Sequence, residues 1–214
     1  MNRPLWDSKQ ATRLWNLLRA RLLHFRHGSR LVNYVMAVRY GNESGASMAF
    51  KTYTAADVAK YALASVDAEE NDISNLKLQK LCYYAQGLVS AMRGTRLFWE
   101  RVVAWDHGPV IQELYHQYKG NGSQPIPVIN DFDFDTFEPR DRKALDDIFG
   151  HYGQFSPWRL RNMTHEEKPW LEAYNHSQGG EIPIESMIQF FRPQIDDEYV
   201  KSVYGEGQVQ KGSG

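Results

Sequence analysis

The chain has 214 residues, 42% of them hydrophobic, with ordinary amounts of Gly and Pro; this is enough for one medium domain plus a tail or two and excludes disorder throughout. There is no apolar run of the roughly 18 to 20 residues that cross a bilayer and no secretory leader pattern. The lone cysteine, Cys82, cannot form an intramolecular disulfide, so the expectation is a soluble, cytoplasmic protein. The net charge of -1 hides a division, with eight Lys and Arg against two acids in residues 1–47 and seventeen against twenty-four in residues 48–214. So acidic a body lacks the clustered cations of a general nucleic-acid binder, and six Trp, twelve Tyr and ten Phe tilt the reading toward a protein-binding surface.

From Ser8 to about Phe25, Leu14, Leu17, Leu18, Leu22 and Phe25 recur at helical spacing among Arg13, Arg19, Arg21 and Arg26. This reads as a basic amphipathic helix. Residues 40–47 read as a linker, and Met48 opens a segment that looks like a natural protein start. Residues 1–47 are therefore either a functional basic extension or a translated upstream region.

After Met48 the punctuation is regular. Thr54 and Asp57 make a capping box for a first helix with Val58, Tyr61, Ala62 and Val66 as its stripe. Ser74 caps a second helix in which Leu78, Leu81, Cys82, Ala85, Leu88, Val89 and Met92 share a face and Gly94 is the stop. Its other faces hold Lys77, Gln79, Lys80, Tyr83 and Gln86, so packing on one side only is predicted. Leu97 to Trp105 is β-branched and aromatic and reads as short strands. Gly108-Pro109 reads as a helix start, with Val110, Ile111, Leu114, Tyr115 and Tyr118 as the stripe. Residues 123–137 read as an extended surface loop in which Asp131, Asp133 and Asp135 alternate with Phe132, Phe134 and Phe137. Further helices carry Leu145 to Tyr152, start at Ser156-Pro157, follow a Thr164–Glu167 capping box ahead of Pro169-Trp170, and start at Pro183; Ile195 to Tyr204 closes the fold and residues 205–214 read as a disordered tail. The fold expected is a single mainly α domain over residues 48–204, of about seven helices with one or two short β-strands.

No catalytic constellation stands out, and no enzyme activity, metal or cofactor is expected. The seven His show no H-x3-H pair, and His165-Glu166-Glu167 begins like a zinc-protease motif but has Pro169 where the second His belongs. Cys82 falls on an apolar helical stripe, where a thiol behaves as a small hydrophobe. The Asp131–Asp135 loop lacks the Gly and distal Glu of a calcium site. No phosphate-binding loop, dinucleotide fingerprint or G-x-S-x-G occurs.

Four blocks in sequence carry a resemblance: Tyr53–Tyr61, Ile73–Gly87 with its L-K-L-Q-K-L run, Ala104–Val110 with A-W-x-x-G-P-V, and Leu160–Trp170 with T-H-E-E-x-P-W. Together they resemble the Panacea domain, the antitoxin SocA-like family, also described as phage-associated. Cys82 departs from the pattern, standing where an aliphatic is usual, and residues 1–47 lie outside it. The resemblance implies a mainly helical antitoxin that binds and blocks a cognate toxin encoded by an adjacent gene. The alternative it implies is a proteolytic adaptor that delivers the toxin to a ClpXP-type AAA+ protease. No membrane or nucleic-acid partner is expected. Contacts to the partner are expected from exposed parts of Lys77, Lys80, Tyr84, His107, Tyr115 and His165, and structural roles from Leu78, Leu81, Trp105, Gly108, Pro109, Thr164, Glu167 and Trp170.

Overall fold

The computed structural model describes residues 50–205; the expected basic helix, the linker and the tail beyond Gly205 lie outside them. In chain order the elements are α1 (Ala55–Ala64), α2 (Asn75–Arg93), β1 (Val102–Trp105), β2 (Gly108–Ile111), α3 (Gln112–Tyr118), α4 (Pro139–Tyr152), α5 (Pro157–His165), α6 (Lys168–His176), α7 (Ile184–Phe191) and α8 (Asp197–Tyr204). The fold is mainly α, with eight α-helices among the described residues where about seven were expected, three single-turn 3-10 segments and one two-stranded antiparallel sheet. No helix among the described residues is long and apolar enough to cross a membrane.

The capping chemistry read from the sequence starts α1, α2 and α5. Thr54 Oγ1 accepts from the Asp57 amide at 3.1 Å and the Asp57 carboxylate accepts from the Thr54 amide at 3.0 Å, satisfying two of the otherwise orphaned donors. Ser74 and Ser156 accept from Lys77 and Arg159 amides in the same way, and Gly94 ends α2 at φ 73°, a left-handed conformation that glycine adopts without a Cβ penalty. Val66 lies past the end of α1, half-buried against the core.

The one-sided packing predicted for α2 does not hold. This helix runs through the middle of the domain, touched by α1, α3, α4, α5, α7, α8 and β2, and its polar residues are as buried as its apolar ones. Its buried polar groups are tied to the backbone of other segments. Gln86 Oε1 accepts from the amides of Leu97 and Phe98 at 3.0 Å, and its Nε2 donates to the Phe98 carbonyl. Gln79 Oε1 accepts from the Ile111 amide at 2.8 Å, Lys77 donates to the Gly153 carbonyl at 2.7 Å, and Lys80 donates to the Pro109 carbonyl at 2.8 Å. Loops without a regular ladder must find partners for their backbone groups, and the polar faces of α2 supply them. Gly87 is the narrowest point, where any Cβ would run into the Phe191 ring of α7.

A second correction concerns Gly108-Pro109, which opens a strand rather than a helix. Trp105 pairs with Gly108 and Ala104 with Pro109 across a two-residue turn, Asp106-His107. The missing N-H of Pro109 is tolerated because β2 is an edge strand, while the outer side of β1 is covered by residues 179–182 through Ala104 N to Gly180 O (2.9 Å) and Ile182 N to Val102 O (2.8 Å). Helix α3 starts one turn later, so Val110 and Ile111 of the expected stripe are strand residues.

Residues 123–137 are irregular, as expected, apart from the 3-10 turn Phe134–Thr136, yet they are not merely a surface loop. Ile126 and Phe137 are buried and Phe132, Phe134 and Phe137 press their rings edge-on toward Tyr61 of α1. The alternating Asp residues face outward because the alternating Phe residues face in.

At the far end of α2 the core is closed by a buried ionic hub. Asp141, at the start of α4, accepts from Arg93 at 2.9 Å, from the Tyr53 hydroxyl at 2.8 Å and from the Tyr204 hydroxyl at 2.9 Å. The side chains of Arg93 and Asp141 are both fully buried.

Candidate functional site

The site is built around the Asp106-His107 turn, where the sheet meets α2, α5 and α6. Its base is polar and dry. Lys80 is fully buried, and burial, followed by the nearby Arg161 guanidinium, pushes its pKa down to about 7. Gly108 lies directly over it at φ 94°, so close that a Cβ there would stand 2.7 Å from Thr164 Oγ1 and 2.8 Å from Lys80 Cε.

Glu167 corrects the predicted capping box. It is the residue before α6 but makes no side-chain cap; its carboxylate turns inward and accepts from the hydroxyls of Tyr83 (2.8 Å) and Tyr84 (2.9 Å) on α2. Thr164 lies within α5 and donates to the Arg161 carbonyl at 2.8 Å, a back-bond inside the helix rather than a cap. Burial raises the Glu167 pKa to about 7, with the two tyrosine hydroxyls opposing the shift. The Tyr84 ring stacks on Tyr152 of α4 at 3.8 Å between centroids, so this acid ties α2, α4 and α6 together.

Lys80 sets a pH dependence. Because the folded-state pKa lies below the unfolded value of 10.5, the unfolded chain binds the extra proton between these values, and stability rises with pH in that window. The cleanest interval is about pH 7.5 to 8.5, above the windows of Glu167 and His165 and before most of the unfolded-state ionisation of the buried thiol and phenols. Over this interval the urea midpoint of the chain is expected to rise by the equivalent of roughly 1 kcal/mol, and Lys80→Met is expected to flatten the rise. An equal slope in Lys80→Met would overturn the assignment.

The rim is aromatic, with two histidines among the rings. His165 stacks on Trp170 at 3.8 Å, and Trp170 on Tyr174 at 4.6 Å. Trp170 Nε1 donates to the Trp105 carbonyl at 3.1 Å, and the Tyr174 hydroxyl donates to Asp106 Oδ1 at 2.8 Å, which holds the hairpin turn against α6. Trp105 meets Tyr115 of α3 edge-on at 5.0 Å. His107 at the turn meets Trp158 of α5 edge-on at 5.7 Å, and Trp158 is 59% exposed. Burial lowers the His165 pKa to about 4, with Arg161, Lys80 and His107 acting in the same direction and a hydrogen bond to the Asp106 backbone acting against them.

Of the six residues expected to touch a partner, Lys77, Lys80 and Tyr84 are buried and have no exposed part to offer. They hold loops and the Glu167 carboxylate. His107, Tyr115 and His165 are at least partly accessible and share the rim of the turn. Among the residues expected to be structural, Leu78, Leu81 and Trp170 are buried and Trp105 is half-buried. The sequence reading did not single out Trp158, Arg161, Asp106 or Tyr174. A signal was present for two of them: once Ser156-Pro157 starts α5, Trp158, Arg161 and His165 fall at i, i+3 and i+7, on one face. That this face meets a hairpin turn 50 residues earlier is a tertiary fact. Among the described residues no group of three or more His, Cys, Asp and Glu is placed to hold a metal ion.

Residues 78–171 match the family model of the antitoxin SocA-like, Panacea domain. The match takes in the Ala104–Val110 and Leu160–Trp170 blocks whole and the Ile73–Gly87 block from Leu78 onward. No curated protein and no solved structure matches the chain.

Proposed function

We propose that this chain, an antitoxin-type protein by the match of residues 78–171 to the SocA-like Panacea family, neutralises a cognate toxin by direct binding and not by catalysis. The domain is taken as residues 48–204, wider than the matched stretch, because Tyr53 and Tyr204 share the buried carboxylate of Asp141 and close the fold from both ends.

The observation that carries the reading is the rim at the Asp106-His107 turn. An exposed Trp beside a His and an Arg, on a rigid buried base, is the composition of interface anchors, in which Trp, Tyr and Arg carry most of the energy. The turn is braced from below by Lys80 on the Pro109 carbonyl and from the side by Tyr174, so little conformational freedom is lost on binding. Direct neutralisation needs only one such face.

The test is co-expression of the full chain with the product of the adjacent gene. The neighbour alone is expected to arrest growth, and both together to restore it with a stoichiometric complex that co-purifies. Trp158→Ala is expected to weaken that complex by ~2 kcal/mol or more while leaving the melting temperature near that of the parent. Rescue without a complex, lost when the protease is deleted, would replace direct neutralisation by delivery to a protease.

A further inference from the structure

We infer that Arg161 and His165 form a receptor for one carboxylate of the bound protein partner, an Asp or Glu side chain seated at the rim where Trp158 stands. The inference rests on the antitoxin reading for the partner's identity, and on the structure for the chemistry of the receptor.

Two buried polar atoms at this place have no partner in the protein: Arg161 Nε and His165 Nε2. They belong to side chains one turn apart on the same face of α5. A buried donor or acceptor left unmade is costly, so such atoms are rare in a folded chain and point to something they are meant to meet. The rest of the Arg161 guanidinium does not find a carboxylate either. Its amino groups donate to Asn162 Oδ1 at 3.2 Å and to the Asp106 carbonyl at 3.3 Å, and none of the ion pairs among the described residues includes it.

The titratable groups that face the place from each packed element are mostly basic. Lys80 rises from α2 and is spent on a carbonyl. The hairpin contributes His107 and the Asp106 carboxylate, which already accepts from Tyr174 of α6. Helix α5 contributes Arg161 and His165. Glu167 is turned away toward Tyr83 and Tyr84, and Glu166 is exposed. Burial first, and then Arg161, Lys80 and His107, oppose protonation of His165, while a hydrogen bond to the Asp106 backbone favours it. A carboxylate at Arg161 would relieve the opposition and favour the imidazolium, so occupancy and proton uptake at His165 are coupled.

A single carboxylate fits better than a nucleic-acid backbone. The body that surrounds the receptor has twenty-four acids against seventeen Lys and Arg in residues 48–214, a field that repels a polyanion but admits one charge at a local cationic notch.

The experiment titrates the full chain with acetate, and with chloride at the same ionic strength, and follows the His165 imidazole by NMR from about pH 5 upward, where acetate is the anion. Acetate is expected to saturate and to raise the His165 pKa by about one unit or more. Chloride is expected to leave it unchanged, and Arg161→Gln to abolish the acetate effect. No saturable shift, or the same shift in Arg161→Gln, overturns the receptor. A single-stranded oligonucleotide that moves His165 at lower concentration than acetate overturns it in favour of nucleic acid. In the complex with the adjacent-gene product, Arg161→Glu is expected to raise Kd about 30-fold or more, whereas Arg159→Glu, on the exposed face of the same helix, changes it less than about 3-fold. If the parent chain binds the toxin and Arg161→Glu binds equally well, the receptor falls and the antitoxin reading stands. If the parent binds no toxin at all, the antitoxin reading falls and the acetate titration alone decides the receptor.

Discussion

Asp141→Ala is expected to cost the domain about 3 to 5 kcal/mol, the largest effect of any single truncation proposed here, read as a drop in the urea midpoint. Three donors lose their acceptor at once: the Arg93 guanidinium and the hydroxyls of Tyr53 and Tyr204. Arg93 is left buried with only the Thr95 and Arg96 carbonyls, and a buried cation without its counter-charge is what makes the loss large. The pair itself is a weaker source of stability than its loss suggests, because both charges were taken out of water to make it. The double variant Arg93→Met, Asp141→Leu is therefore expected to recover a substantial part of the loss. A cost below about 1 kcal/mol for Asp141→Ala would show that the hub is not dry. The hub joins the segment before α1, the end of α2, the start of α4 and the end of α8, so its loss should lower the whole transition and not fray one helix.

Gly108→Ala is expected to destabilise by about 2 to 5 kcal/mol. Two costs combine at this residue. Its φ of 94° is a conformation that L side chains rarely adopt, and the added methyl would meet Thr164 Oγ1 at 2.7 Å and Lys80 Cε at 2.8 Å, both in packed surroundings. The Lys80 chain cannot swing aside without breaking its bond to Pro109. Gly120→Ala is the control, since nothing lies within 4 Å of a Cβ there, and it is expected to stay within about 0.5 kcal/mol of the parent. Equal midpoints for the two alanine variants would contradict the close approach of hairpin, α5 and α2. Where Gly108→Ala still folds at low temperature, partner binding is expected to weaken as well, because the turn that presents His107 is displaced.

The places where local reading succeeded share a cause. The capping box of Thr54 and Asp57, the Ser74 and Ser156 caps, the Gly94 stop and the apolar spacing of Leu78, Leu81 and Cys82 are decided within one helical turn, by orphaned amides and a 3.6-residue period. The three motif blocks that the match over residues 78–171 takes in, wholly or in part, were legible for the same reason, as short runs in order.

What sequence alone determined about this protein is thus its helical class, most helix starts and a family resemblance that the match over residues 78–171 bears out. Tertiary structure decided the rest. A local rule assigns Lys77, Lys80 and Tyr84 to a wet face, yet α2 is enclosed, and those side chains serve segments that are distant in sequence. Gly108-Pro109 satisfies a helix-start rule and a strand-edge rule equally well, and pairing with Ala104 and Trp105 settles it. Thr164 and Glu167 have the spacing of a cap, but two tyrosine hydroxyls from α2 outbid the backbone for the carboxylate. The candidate site came last for the same physical reason: Arg161, His165, Asp106 and Trp158 become one surface only when a hairpin turn and a helix far apart in the chain are packed together.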